Sequence, residues 1–299
     1  MSGLVSRYLA PLVIVLSIAL GFALPQVGLI WKPYLSVLLM FLMFFVALSI
    51  EPIEITRATR NYPVIMMGLF TVFVMVPVLA FSAKPFVSSI VYAGIILGLC
   101  CPSAVVSAFW AKAFKGDVAT ALVMSITTNL LSIVTVPATM LIVIGAALHV
   151  DVASMMLNLA EIILIPLVAS FLVRRFVHFD WIRASLFSSK AELFILALIV
   201  WGSIASGVEY VRNNVAEFVI LNVFILGILA LAWTLTHLLT KGFGHKKATS
   251  LEIATTVKNA ALSLVVGLTA FGPAVLPPLI ANLIAQNLLL ISAKAMTEE

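Results

Sequence analysis

The chain of 299 residues is 63% hydrophobic and 10% charged, with 17 Lys+Arg against 12 Asp+Glu and a net charge of +5. Its mean hydropathy is +1.23. Soluble domains run about 45–50% apolar and about 25% charged, so a water-soluble globule is excluded. In a membrane protein the basic excess is a topology signal and not a nucleic-acid surface.

Apolar runs bounded by charge or by Pro/Gly punctuation predict ten spanning helices, at 9–25, 34–50, 63–82, 88–113, 117–146, 153–173, 190–208, 216–239, 249–271 and 274–293. Each run is far longer than the roughly 10-residue segments of a membrane barrel. Arg7 followed by Leu9–Leu24 has the look of a signal peptide, but no small-residue cleavage pattern follows, so it is read as the first span. With the N-terminus placed inside, the inner loops collect Arg7, Arg57, Arg60, Lys112, Lys115, Arg174, Arg175, Arg183, Lys190, Lys241, Lys246, Lys247 and Lys294. The outer loops receive only Lys32, Lys84 and Arg212. That bias predicts both termini in the cytoplasm. Cys100 and Cys101 are adjacent inside an apolar run and frame no disulfide scaffold.

The sequence also suggests a duplication. Leu9-Ala10-Pro11-Leu12-Val13 returns as Leu164-Ile165-Pro166-Leu167-Val168, an offset of 155. Ser103-Ala104-Val105-Val106-Ser107 returns as Asn259-Ala260-Ala261-Leu262-Ser263, an offset of 156, at which Gly116 also meets Gly272. Five spans per half is odd, so residues 1–149 and 150–299 are expected to insert with opposite orientation, an inverted repeat typical of secondary transporters.

Such transporters bind substrate near the midplane, where helices break. Pro102 interrupts span 4, because proline lacks a backbone donor and disfavours helix before it. Span 9 carries the polar window Thr255-Thr256-Val257-Lys258-Asn259. At 1.5 Å per residue, Lys258 lies roughly 14 Å deep. A lysine there costs about 2.5–3.5 kcal/mol, which marks it as functional, with a structural ion pair as the alternative. Glu161 lies roughly 12 Å into span 6 and is a second candidate beside a plain packing role. Asn129, Asn158, Asn222, Asn282, Gln286 and Asn287 read as interhelical hydrogen-bond glue. Glu252 reads as a structural acid in the first turn of span 9, and Asp117 as a helix cap. His149, His178, His237 and His245 fall at loops or span ends. No His-Glu-x-x-His, Gly-x-Ser-x-Gly or Walker loop occurs, so neither an enzyme nor an ATP-driven pump is expected.

Cys101-Pro102-Ser103-Ala104-Val105-Val106-Ser107-Ala108 and Lys115-Gly116-Asp117-Val118-Ala119 resemble the Cys-Pro-Gly-Gly-x-x-Ser-Asn…Lys-Gly-Asp-Val-Ala signature of the bile acid:sodium symporter family. Ile163-Leu164-Ile165-Pro166 and Lys258-Asn259-Ala260-Ala261-Leu262 extend the likeness. The resemblance implies ten helices in two inverted repeats, with broken spans 4 and 9 crossing at the centre. It further implies a core of spans 3, 4, 5, 8, 9 and 10 moving against a panel of spans 1, 2, 6 and 7. Its sodium ligands fall on Ser107 and Ala108, on Ala121 and Ser125, on Ala254, Lys258 and Asn259, and on Val72. Most of the ligating side chains are therefore gone, and a cation stands among them.

The reading from sequence is a secondary transporter of a small or amphipathic organic anion in the cell inner (plasma) membrane, proton-linked or lysine-substituted and not sodium-coupled in the family manner. The residues expected at its site are Pro102, Ser103, Ser107, Ser125, Glu161, Lys258 and Asn259. No cofactor, resident metal or nucleic acid is expected; the partners are the anion, the bilayer and a proton, and the chain is a monomer or homodimer. Three alternatives were weighed. One is a sodium-dependent anion or bile acid symporter. Another is an arsenite exporter, a class that resembles this chain in Trp110 and Lys115-Gly116-Asp117 but whose cysteine falls on Ser103. The last is a membrane sensor or scaffold.

Overall fold

A computed structural model of the chain describes residues 2–49, 61–145, 147–148, 151–177 and 181–296. Arg57, Arg60, His149 and His178, and the side chains of Arg7 and Arg183, lie outside the described residues.

Every regular element among the described residues is a helix. The order is α1 (Ser2–Ala23), α2 (Pro25–Gly28), a 3-10 segment (Leu29–Tyr34), α3 (Leu35–Ser49), α4 (Tyr62–Phe70), a π segment (Thr71–Met75), α5 (Val76–Ala80), a 3-10 segment (Phe81–Phe86), α6 (Ser89–Cys100) and α7 (Val106–Ala113). There follow α8 (Val118–Ile144), α9 (Val152–Phe176), α10 (Trp181–Asn213), α11 (Val215–Thr240), a 3-10 turn (Lys241–Phe243), α12 (His245–Thr256), α13 (Ala260–Phe271), a 3-10 turn (Pro273–Val275) and α14 (Leu276–Met296).

Seven helical stretches are long and apolar enough to cross a bilayer: Pro25–Leu48, Tyr62–Phe86, Val118–Ile144, Val152–Phe176, Lys190–Asn213, Val215–Phe243 and Pro273–Ala295. The other three expected spans fall on shorter apolar helices, Leu12–Ala23, Ser89–Cys100 and Ala260–Phe271. Two of these are short because the chain breaks in the middle of the expected span. Helix stops at Cys100 and resumes at Val106, and it stops at Thr256 and resumes at Ala260. The seventh span differs from expectation at its start, since helix α10 begins at Trp181, ahead of the apolar run.

Helices α1 and α3 pack against α10, and α3 against α9; α11 packs against α12 and α14, and α8 against α6, α7 and α12; α9 also packs on α8, and α10 on α13 and α14. Close approach depends on small residues, as expected where apolar helices gain nothing from hiding from lipid. A Cβ on Gly94 would lie 2.4 Å from Pro278 and 2.7 Å from the Val275 carbonyl oxygen.

The Lys-Gly-Asp stretch between α7 and α8 has a clear physical role. Lys115 adopts φ 59°, and a Cβ on Gly116 would meet Ser250 Oγ at 2.9 Å. Asp117 then caps α8, its Oδ1 accepting from the Ala119 N–H at 3.2 Å and its Oδ2 from Thr120 Oγ1 at 2.6 Å. The Asp117 N–H donates to the Lys246 carbonyl and Ser250 Oγ donates to the Asp117 carbonyl, at 3.0 and 2.8 Å. These bonds fasten the start of α8 to the start of α12, at what is here called the basic end of the molecule. Lys294 stands over the Phe114 ring at the same end, 5.4 Å from its centroid.

Candidate substrate and coupling site

A helix that breaks inside a membrane must find partners for its freed backbone groups, since no water supplies them. Here the two breaks serve each other. Ser103 and Lys258 face one another as an isolated antiparallel bridge. The Ala104 N–H donates to the Val257 carbonyl at 2.9 Å, and the Asn259 N–H to the Pro102 carbonyl at 2.8 Å. The helices of spans 4 and 9 thus cross at their breaks, running in opposite directions.

The remaining groups are met by side chains of α8 and α14. The Ser103 N–H donates to Thr128 Oγ1 at 3.1 Å. The Ser103 carbonyl accepts from Asn129 Nδ2 at 3.0 Å and from Ser125 Oγ at 3.2 Å. The Lys258 N–H donates to Gln286 Oε1 at 2.8 Å. Asn259 caps α13 by accepting from the Leu262 N–H at 3.1 Å, and its Nδ2 donates to Asn129 Oδ1 at 3.2 Å. Asn129 therefore binds both breaks at once. The glue role expected of Asn129 and Gln286 has a specific target, which is broken backbone and not a neighbouring helix surface.

Lys258 is 0% exposed. Its Nζ donates to the Val72 carbonyl at 3.4 Å. Val72 lies in the π segment, where the regular ladder is disturbed just ahead of Pro77, a residue with no backbone donor. Next to it, Thr71 Oγ1 and Thr255 Oγ1 are 2.7 Å apart. Among the described residues no carboxylate comes within ion-pair distance of Lys258.

Of the expected site residues, Pro102, Ser103, Ser125, Lys258 and Asn259 meet at the crossing, and Ser107 lies in the first turn of α7, which starts there. Ser103 Oγ and Ser107 Oγ are buried without a hydrogen-bond partner. Glu161 is elsewhere. It occupies the exposed stripe of α9 beside Leu157, Leu164 and Ile165, and it makes no ion pair with Lys258.

Glu252 departs from its expected place. Helix α12 starts at His245, so Glu252 is its eighth residue and is 5% exposed, with His237 Nδ1 2.9 Å from its Oε1. Cys100 and Cys101 are free and buried.

A hard cation wants several oxygen ligands. Among the positions onto which the resemblance puts the family's sodium ligands, Ala108, Ala121, Ala254 and Val72 offer no side-chain oxygen, whereas Ser107, Ser125 and Asn259 do.

Comparison with known proteins bears on what moves through this site. The model of the "Sodium Bile acid symporter family" matches residues 36–215. An "Uncharacterized protein YbaS" of Bacillus subtilis (strain 168) is 24% identical over 93% of this chain and 93% of its own length. An "Uncharacterized sodium-dependent transporter YocS" of the same organism is 23% identical over 85% of this chain and 79% of its own. With a match over more than half of its length, crossing helices and apolar spans, the chain is a multi-pass membrane transporter and belongs to the sodium bile acid symporter family.

Proposed function

We propose that the protein is a secondary transporter of a small or amphipathic organic anion, in which the ammonium group of Lys258 takes the place of a coupling sodium ion. The observation that carries this reading is the fully buried Lys258, with Nζ on the Val72 carbonyl and no acidic partner among the described residues. Val72 is also the position onto which the family's span 3 glutamine falls. A buried cation without a carboxylate is costly, and an anionic substrate would offset that cost.

The rest of the geometry supports alternating access. Three shorter apolar helices stand beside the seven long ones, in keeping with ten crossings, and Lys258, bridged to Ser103, is the neighbour of Asn259, the repeat partner of Ser103. The grouping of α1, α3, α9 and α10 corresponds to a panel and the remaining helices to a core. The charge bias supports a topology with the basic end and both termini in the cytoplasm of a cell-membrane protein.

In this mechanism the anion sits where α7 and α13 begin. Helix N-termini favour negative charge there, and the free hydroxyls of Ser103 and Ser107 can donate to it. Lys258 carries a proton in one access state and gives it up in the other, so that proton movement accompanies the anion. The sodium-dependent reading is favoured by the name of one relative and opposed by the side chains at the crossing.

Uptake of cholate and of short carboxylates into proteoliposomes tests the proposal. Uptake is expected to depend on pH in the wild type and to lose that dependence in Lys258→Gln. A variant matching the wild type at every pH, or a protein that moves no carboxylate, would overturn it.

A further inference from the structure

Helices α11 and α12 form a hairpin at the basic end, joined by the Lys241–Phe243 turn. Their facing sides carry a pair that the crossing does not use. Glu252 Oε1 and His237 Nδ1 are 2.9 Å apart, and the side chains are 6% and 53% exposed respectively. A carboxylate inside a helical bundle needs a partner, and this one has an ionisable neighbour whose ring reaches the outside. The basic end faces the cytoplasm in the topology proposed above.

We propose that His237 and Glu252 form a proton-exchange site on the cytoplasmic half of the core, separate from Lys258. The imidazole passes its Nδ1 proton to Glu252 Oε1 while Nε2 takes a proton from a cytoplasmic hydronium ion, leaving water. The Nδ1–H bond breaks as the Nε2–H and Oε1–H bonds form, so the ring stays neutral as its other tautomer and the carboxylate becomes a carboxylic acid. Release runs the same steps in reverse, returning the proton to water and the ring to its first tautomer.

The setting favours this over a passive ion pair. The other titratable groups with described side chains on α11, α12 and the elements packed against them are Tyr62, Lys112, Lys115, Asp117, Lys190, Glu192, Glu209, Tyr210, Arg212, Glu217, Lys241, His245, Lys246, Lys247 and Lys294. Among the described residues none of these basic groups is within 4 Å of Glu252. The Asp117 carboxylate is committed to capping α8. Glu252 therefore answers to the histidine alone. It also shares α12 with the threonines that lead to the crossing: Thr256 Oγ1 donates to the Glu252 carbonyl at 2.9 Å, and Thr255 meets Thr71 beside Val72. Lys258 is six residues on, in the break just past the end of α12 at Thr256.

Infrared spectroscopy of the full-length protein in lipid, with proton and deuteron as the probes, tests the site. A carboxyl band that titrates with pH and shifts in deuterated water is expected, absent in Glu252→Gln and retained in Glu252→Asp and in Lys258→Gln. After a pH jump the band should form about tenfold or more slowly in His237→Gln, since a positioned acid–base group contributes at least that much. A titrating band that survives Glu252→Gln, or a Glu252 carboxylate that never takes a proton, would overturn the proposal. So would a wild-type rate in His237→Gln. Persistence of the band in Lys258→Gln separates this test from that of Lys258 itself.

Discussion

The half-helices that leave the two breaks, α7 and α13, have very different surroundings. Residues 260–267 of α13 are all buried, and the helix packs against α3, α9 and α10. In α7 only Ser107, Trp110 and Ala111 are buried, and its neighbours are α8 and α12. The same break therefore meets a fully buried half-helix at one end and a partly exposed one at the basic end. In the transport cycle proposed above, this asymmetry corresponds to a state open toward the basic end. The opposite end holds two cavities, of about 200 Å³ beside Ser88, Tyr210 and Glu217 and of about 120 Å³ beside Asp151, Asn158 and Thr269, both below the usual range of small-molecule sites of about 300–1,000 Å³.

The strongest way to break the comparison is to remove the group that sits between the two half-helices. Lys258→Gln keeps a terminal N–H donor, on a side chain one atom shorter, and the backbone bond to Gln286, but it removes the charge. Proton-linked uptake should fall by about 10²–10⁴-fold, the range of a lost acid–base group, with the circular dichroism spectrum unchanged. A uniform loss at all pH values would indicate a structural role instead.

Cysteine labelling reads the asymmetry directly. The native thiols are buried, so introduced cysteines dominate the reaction. Ala108→Cys on α7 should react with a water-soluble maleimide about 10- to 1,000-fold faster than Leu264→Cys on α13, matching a minor state populated at about 0.1–10%. Equal rates would contradict the assignment of an open and a sealed half.

Removing the shared tie gives a smaller effect. Asn129→Ala leaves the Ser103 carbonyl and the Asn259 amide short of a partner and should destabilise the protein by about 1–3 kcal/mol, measured as a loss of thermal stability in detergent. The seam on the sealed side is weaker still. Asn158 Nδ2 donates to Thr269 Oγ1 at 3.3 Å between α9 and α13, and such bonds average about 0.6 kcal/mol in membranes. Asn158→Ala should therefore raise labelling at Leu264→Cys by less than about threefold.

Much of this architecture was legible in the sequence because apolar runs and proline obey the bilayer's demands. Pro102 and the polar window around Lys258 marked both breaks correctly, and Asp117 caps the helix that it was expected to cap. Other features carried no such signal. A polar residue inside an apolar helix announces that it needs a partner but not which one, so the double role of Asn129 was hidden. The π segment at Thr71–Met75 changes the hydrogen-bond ladder without changing composition. Glu252 looked terminal because hydropathy starts span 9 at residue 249, whereas the polar residues from His245 onward are helical too. For the same reason the charged start of α10 hid its helical character.

The central claim is that a tethered ammonium stands where the family would place a sodium ion. Initial uptake rates of the wild-type protein into proteoliposomes, compared in sodium and in choline at fixed pH and membrane potential, test it most directly. The account predicts rates that are nearly unchanged when choline replaces sodium. A strong, saturable requirement for sodium would contradict it, and would mean that Ser107, Ser125, Asn259 and backbone carbonyls hold the ion in spite of Lys258.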